Sequence, residues 1–156
     1  MARGPIAALW MLAVVGAAAA APGWAADLAL RSLDGLSQVR VEVDAGPGLD
    51  PVDLEVAVAR RLAEAGIAAD WRAPATLQVD ARVGPEAVAA GVSLTQPVLL
   101  ERDPLLEAEV ATWSLGEAER PDPATPPPTA TQLLLDRILD RFLEDWGEAN
   151  TVVSGY

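Results

Sequence analysis

The sequence predicts an α+β fold, a two-layer sandwich in which a mainly antiparallel sheet of four or five strands carries two helices on one face. Strictly alternating apolar residues, typical of half-buried strands, occur at 38–44 and 76–83. Helical spacing of apolar residues occurs at 50–66 and 131–148, on either side of most of the predicted strands. Short turns join the later strands, which favours antiparallel pairing and the element order β-α-β-β-β-β-α.

The first strand, 38–44, places its valines on one face and charged residues on the other. A helix follows, with Asp50 as its N-cap, Pro51 at its first helical position and Gly66 as its C-terminal stop. A short strand over 67–71 is predicted directly after this helix. The apolar stripe of the helix contains Leu54, Val58, Leu62 and Ala65, widened by Val56, Ala59 and Ala63.

The remaining strands follow across short turns. The alternating segment 76–83 ends at a Gly-Pro turn, and 88–102 is long enough for one bent strand or two short ones. Gly91 and Pro97 both weaken a regular ladder, so we expect a bulge or an edge position there. The next strand is predicted over 107–115.

The N-terminus has the composition of a secretory signal peptide. A basic start at Arg3 precedes an apolar run over 6–21, and small residues lead to a cleavage point after Ala25, with Ala21 and Ala26 as alternatives. The apolar run is too short to span a bilayer. The chain contains no cysteine for a lipid anchor. We therefore expect a soluble protein exported to the periplasm, which is neither a lipoprotein nor inserted in the membrane after cleavage.

The rest of the chain is expected to form one small domain with a separate C-terminal helix. Its predicted parts are a lead-in segment (26–37), an α+β core (38–116), a Pro-rich linker (117–130), the C-terminal helix packed on the core (131–150) and a tail (151–156). The stripe of the last helix that faces the core contains Leu135, Ile138, Leu139, Phe142 and Trp146.

The composition excludes several classes of function. The chain has 11 basic residues, all arginine, against 23 acidic ones, and a net charge of −12 at pH 7. Such a surface repels nucleic acid and anionic lipid headgroups. Histidine, cysteine and lysine are absent from the sequence. Conventional catalytic triads, thiol nucleophiles, Schiff bases and His- or Cys-ligated zinc are therefore closed to it. We expect no catalytic residues, no cofactor and no metal site.

Two features are weak candidates for an interaction site. Glu101, Arg102 and Asp103 cluster at a strand end beside Pro104. They form either a charged hairpin tip, which we favour, or a carboxylate pair held by an arginine. Trp113 lies on a predicted strand whose alternation can be assigned to either face of the sheet. Its ring therefore either packs in the core or stacks on a ligand.

Four short motifs follow one another in a recognisable order: Leu62–Ile67 at a helix end, Arg102-Asp103, Ala111-Thr112-Trp113, and the Phe-x-x-Asp-aromatic-x-x-Ala-Asn motif of Phe142–Asn150. In this order they resemble a family of small exported bacterial proteins of unknown function. The resemblance covers about residues 30–150 and implies an exported domain with this order of strands and helices. No functional residue carries over from it.

Our leading hypothesis is an accessory or protein-interaction module of the periplasm, without catalysis, whose partner is another envelope protein. Strand addition at the edge near Pro97 is the simplest way to bind such a partner. One alternative is a hydrolase for a cell-envelope substrate that uses Asp103 with Glu101 or Glu107. Another is a small-ligand carrier. A hydrolase needs carboxylates converging in a cleft, and a carrier needs an apolar pocket.

Overall fold

The computed structural model describes residues 29–100 and 102–151, and the predicted signal peptide therefore lies outside the described part. The fold is α+β, as the sequence predicts. Helix α1, whose described part is 29–33, comes first. The other elements are β1 (Gln38–Ala45), α2 (Pro51–Ala65), β2 (Ala68–Ala69), β3 (Thr76–Val83), β4 (Val88–Leu100), β5 (Asp103–Glu119) and α3 (Pro127–Thr151).

The sheet has five strands in the order β2-β1-β3-β4-β5. The pairs β3–β4 and β4–β5 are antiparallel, in agreement with the prediction. In contrast, β1 runs parallel to both β2 and β3. Parallel neighbours need a crossover connection, and α2 supplies the one that returns the chain from β1 to β2. The sheet is therefore mixed rather than purely antiparallel.

Helix α2 begins and ends where its sequence signals predict. Oδ1 of Asp50 accepts hydrogen bonds from the backbone N–H of Val52 (2.8 Å) and of Asp53 (3.3 Å). Gly66 ends the helix with a φ of +94°, in the left-handed region that favours glycine. The buried residues are Leu54, Val58 and Leu62. Val56, which the sequence placed on the edge of this stripe, is instead 63% exposed, because it lies on the far side of the helix from the sheet.

The core lies between one face of the sheet and the two long helices. Helix α2 packs on β1 and β2, and helix α3 packs on β3, β4 and β5. The largest fully buried side chains are Phe142, Leu33, Leu62, Ile67, Leu77, Leu94, Leu134, Ile138, Leu139, Val39, Val58 and Val79. Helix α3 packs against the sheet through Phe142 and its apolar neighbours, which are buried.

The lead-in segment before β1 is fastened to the end of α3 by side chains of the C-terminal motif. Nε1 of Trp146 donates to the carbonyl oxygen of Leu36 (2.8 Å). Nδ2 of Asn150 donates to the carbonyl oxygen of Leu33 (3.0 Å), and its Oδ1 accepts from the N–H of Gly35 (3.0 Å). The Phe-x-x-Asp-aromatic-x-x-Ala-Asn motif therefore has an architectural role at Trp146 and Asn150.

The connection between β5 and α3 is shorter than the predicted linker over 117–130. Strand β5 continues to Glu119, which pairs with Val88 of β4. Helix α3 begins at Pro127, since proline suits the first turn of a helix, where backbone N–H groups have no partner within the helix. Only residues 120–126 lie outside regular structure.

Candidate functional site

The antiparallel pair β4–β5 is longer than the rest of the sheet. The last residues paired between β3 and β4 are Thr76 and Thr95, whereas β4 and β5 stay paired to the end of β4. Beyond Thr95 the two strands therefore form a two-stranded ribbon that no other described strand flanks. We call this ribbon the arm; its described residues are 96–100 and 102–110.

A β-bulge lies at the base of the arm. The register of β4 with β5 shifts between Leu94 and Thr95 and leaves Thr112 of β5 without a partner. The hydroxyl of Thr112 donates to Oε1 of Gln96 (2.8 Å), which bridges the two strands just beyond the bulge. Bulges strengthen the local twist of a ribbon. The bulge therefore adds to the twist of the two strands where the arm begins.

The two residues predicted to disturb β4 behave differently. Pro97 pairs with Glu109 in the arm, where β3 no longer flanks β4, so the expected edge position is confirmed. Gly91 lies in regular register, between Asp80 of β3 and Gly116 of β5. The expected irregularity at Gly91 is wrong, because the bulge at Thr112 absorbs the register change instead.

Cross-strand partners define the two faces of the arm, since directly paired residues share a face of a sheet. Leu99 pairs with Glu107 and Pro97 with Glu109, and we call this side the carboxylate face. The other side, the apolar face, carries Gln96 with Val110 and Val98 with Ala108. Leu105 and Leu106 lie between Asp103 and Glu107, where the register of β5 with β4 shifts a second time.

Large apolar side chains of the arm are exposed to solvent. The exposed fraction is 67% for Leu99, 95% for Leu105, 52% for Leu106 and 43% for Val110. The buried core ends at Leu94 on β4 and begins again at Trp113 on β5. The arm therefore presents a concentrated apolar surface that does not contribute to the core.

An open groove borders the arm on the side where β3 no longer flanks β4. Its volume is about 490 Å³. It is lined by Ser32, Asp34, Gly35, Leu36, Ser37, Gln38, Pro74, Ala75, Gln96, Pro97, Val98 and Thr112. The groove lies between the lead-in segment, the start of β3 and the arm, and the core residues Leu36 and Ala75 form part of its wall.

The predicted site residues do not come together. Arg102 and Asp103 lie exposed at the tip of the arm, where Oδ1 of Asp103 accepts from the N–H of Leu105 (3.2 Å). Glu101 lies outside the described residues. Trp113 lies beyond the bulge at the other end of the arm and is only 7% exposed. The ring of Trp113 is therefore packed in the core and offers little surface to a ligand.

A carboxylate cluster that the sequence analysis missed lies on the uncovered face of the sheet. Asp44 of β1 and Asp80 of β3 are paired directly across the strands. An Arg82 nitrogen, Nη2, lies 2.6 Å from Oδ2 of Asp44 and 3.6 Å from Oδ1 of Asp80. Alternation predicts that these residues share a face, but only the parallel pairing of β1 with β3 brings them together. All three are solvent-accessible, and the arrangement is typical of a surface ion pair.

Metal binding requires a group of ligating side chains, and membrane insertion by a helix requires a long apolar helix. Within residues 29–100 and 102–151, no group of three or more acidic side chains is arranged to hold a metal ion. In the same part of the chain, no helix is both long enough and apolar enough to cross a bilayer.

Comparison with known proteins adds no assignment. The chain matches no protein-family model, and no curated protein matches it in sequence.

Proposed function

We propose that this protein is an exported, soluble interaction module of the bacterial periplasm, without catalysis of its own, that binds another envelope protein through the arm. The observation that carries the proposal is the exposure of Leu99, Leu105, Leu106 and Val110 on a ribbon that extends beyond the sheet. Concentrated exposed apolar surface is typical of interaction sites on soluble proteins.

The position of these apolar side chains also favours a binding role. The arm contributes none of the largest fully buried side chains, so its apolar residues do not hold the domain together. Exposed apolar residues on an unflanked β-ribbon also promote aggregation. A binding role explains why such residues are placed there.

The carboxylates named for the alternative hydrolase fit the interaction role better. Asp103 and Glu107 are exposed on the arm and do not line the groove. General acid–base chemistry uses groups that converge on a bound substrate. On the arm, these carboxylates instead border the exposed leucines, as polar rim residues border the apolar centre of an interface.

Site-specific photo-crosslinking in the exporting bacterium tests the proposal. A photoreactive residue at Leu105 should give a discrete adduct with one envelope protein, because Leu105 is the most exposed large apolar residue of the arm. The same residue at Val52, which is 64% exposed on α2, is the matched control and should give none. Equal adducts at both positions, or none at Leu105, would overturn the proposal.

Paired substitutions give a second, independent test. The double variant L105S/L106S should lose the adduct formed from a probe at Leu99. The control variant V52S/V56S removes two valines of similar exposure from α2 and should keep it. The free energy of unfolding of each variant should lie within about 0.5 kcal/mol of the parent value, because the replaced side chains are largely solvated.

The export part of the proposal rests on the N-terminal sequence. The intact mass of protein recovered from the periplasm should correspond to a chain that begins at Ala26 and carries no lipid. A mass that still includes residues 1–25 would contradict it.

A further inference from the structure

We infer that the outer edge of β5 in the arm receives an extended partner segment in which basic residues alternate with apolar ones. This inference rests on the proposed function and names the chemical class of the partner. The added segment would become a sixth strand of the sheet, bound by main-chain hydrogen bonds and selected by its side chains.

The outer edge of β5 is free to pair. It is the last strand in the sheet order, and no other described strand lies beyond it. An edge strand presents a row of backbone N–H and C=O groups to any strand that approaches. The free edge of β4 in the arm is less suitable, because Pro97 has no N–H to donate there. We therefore favour strand addition on β5 over the edge of β4 near Pro97.

The side chains of β5 specify what the partner must carry. Glu107 and Glu109 lie on one face, and Ala108 and Val110 alternate with them on the other. Directly opposed residues of neighbouring strands interact on each face. A partner strand should therefore bind most tightly when its basic residues lie opposite the two glutamates and its apolar residues lie opposite Ala108 and Val110.

The two glutamates are available for such a pairing. Within the described part of the chain, Glu107 and Glu109 make no ion pair, whereas Glu117 and Glu119 of the same strand are both paired with Arg137 of α3. Two unpaired carboxylates beside exposed leucines attract a basic, apolar segment.

The same charges disfavour a second copy of this chain as the occupant. An antiparallel pairing of two β5 strands centred on Ala108 would place Glu107 of each copy opposite Glu109 of the other. Like charges directly opposite each other destabilise a strand pair. The net charge of −12 on each chain adds to the repulsion.

Binding of synthetic peptides to the full mature protein tests the inference. The probe is a nine-residue peptide of alternating lysine and valine. Its control has the same composition, with the lysines in one block and the valines in another. The alternating peptide should bind more tightly by fluorescence anisotropy. It should also slow hydrogen exchange at every second amide of residues 107–111, because only alternate N–H groups of this paired stretch point outward.

Charge variants separate strand pairing from general attraction to an acidic protein. E107Q/E109Q should weaken binding of the alternating peptide about tenfold, since it removes two cross-strand charge pairs. E55Q/E64Q removes two exposed carboxylates of α2, none of them in the arm, and should change the affinity less than twofold.

Several results would overturn the inference. They are equal binding of both peptides, an equal loss of affinity in both charge variants, and slowed hydrogen exchange at amides outside β5. Selective binding of the arm to phosphatidylcholine vesicles, lost in L105S/L106S, would instead identify a lipid surface as the occupant. If arm crosslinks form but the alternating peptide does not bind, this inference fails while the proposed function stands. If no crosslink forms at Leu105, the proposed function itself fails.

Discussion

The indole N–H of Trp113 donates a hydrogen bond to the carboxylate of Asp145, with Nε1 and Oδ2 2.9 Å apart. This bond joins β5 to α3 directly below the base of the arm. The Trp113 ring also packs edge-on against Phe142, with ring centroids 5.1 Å apart and an interplanar angle of 74°. Asp145 is held in turn by Arg141, at 3.2 Å. The strand that carries the arm is thus fixed to the helix layer where the arm begins.

The bond between Trp113 and Asp145 should appear as an energetic coupling. In a double-mutant cycle of Trp113→Phe and Asp145→Ala, we expect a coupling free energy of about 1–2 kcal/mol, because the bond has a charged acceptor that is partly shielded from water. Urea unfolding of the parent, both single variants and the double variant measures it. Strictly additive single effects would show that the bond does not contribute to stability.

The docking of α3 should depend strongly on Phe142, which is fully buried. Phe142→Ala should lower the free energy of unfolding by about 3–5 kcal/mol, because it leaves a cavity between helix and sheet. Leu133→Ala on the exposed side of the same helix is the control and should change it by less than about 0.5 kcal/mol. A loss below about 1 kcal/mol for Phe142→Ala in urea unfolding would mean that the helix is not docked through this side chain.

Local sequence signals predicted where the helices and strands lie better than they predicted which of these elements pack side by side. The limits of α2 follow from Asp50, Pro51 and Gly66, since capping and backbone conformation act within one turn of a helix. The alternation of valines in β1 shows which face is buried, but it does not show which strand lies alongside. The parallel pairing of β1 with β3, and with it the cluster of Asp44 and Asp80, depends on tertiary packing.

The arm could not be predicted for the same reason. The apolar residues on either side of the predicted turn at 101–104 fit two ordinary strands of a sheet. Whether Leu99 or Leu105 is covered depends on where β3 begins to pair, and β3 pairs with β4 only from Thr76 onward. Trp113, whose environment the sequence left open, is buried because it pairs with the buried Leu94 and therefore shares its face of the sheet.

The two helix glycines should respond in opposite directions to alanine. Gly66 has a φ of +94°, and the position that a β-carbon would take there has no atom within 4 Å. Gly66→Ala should therefore destabilise the protein by about 1–2 kcal/mol through backbone strain alone. Gly147 lies within α3, and a β-carbon there would also have no atom within 4 Å. Gly147→Ala should therefore stabilise by about 0.5–1 kcal/mol. Thermal unfolding of the two variants checks both signs, and a shift in the same direction for both would refute the explanation.

The arm should be dispensable for folding and necessary for binding. Replacing residues 97–109 by Asn-Gly joins Gln96 to Val110, which are paired across the ribbon, through a two-residue turn that suits a β-hairpin. Since the core ends at Leu94 and resumes at Trp113, the free energy of unfolding should change by less than about 1 kcal/mol. The urea m-value should fall only slightly, because little buried surface is lost. A shortened protein that unfolds, or one that keeps its crosslinked partner through a probe at Val110, would contradict this division of roles.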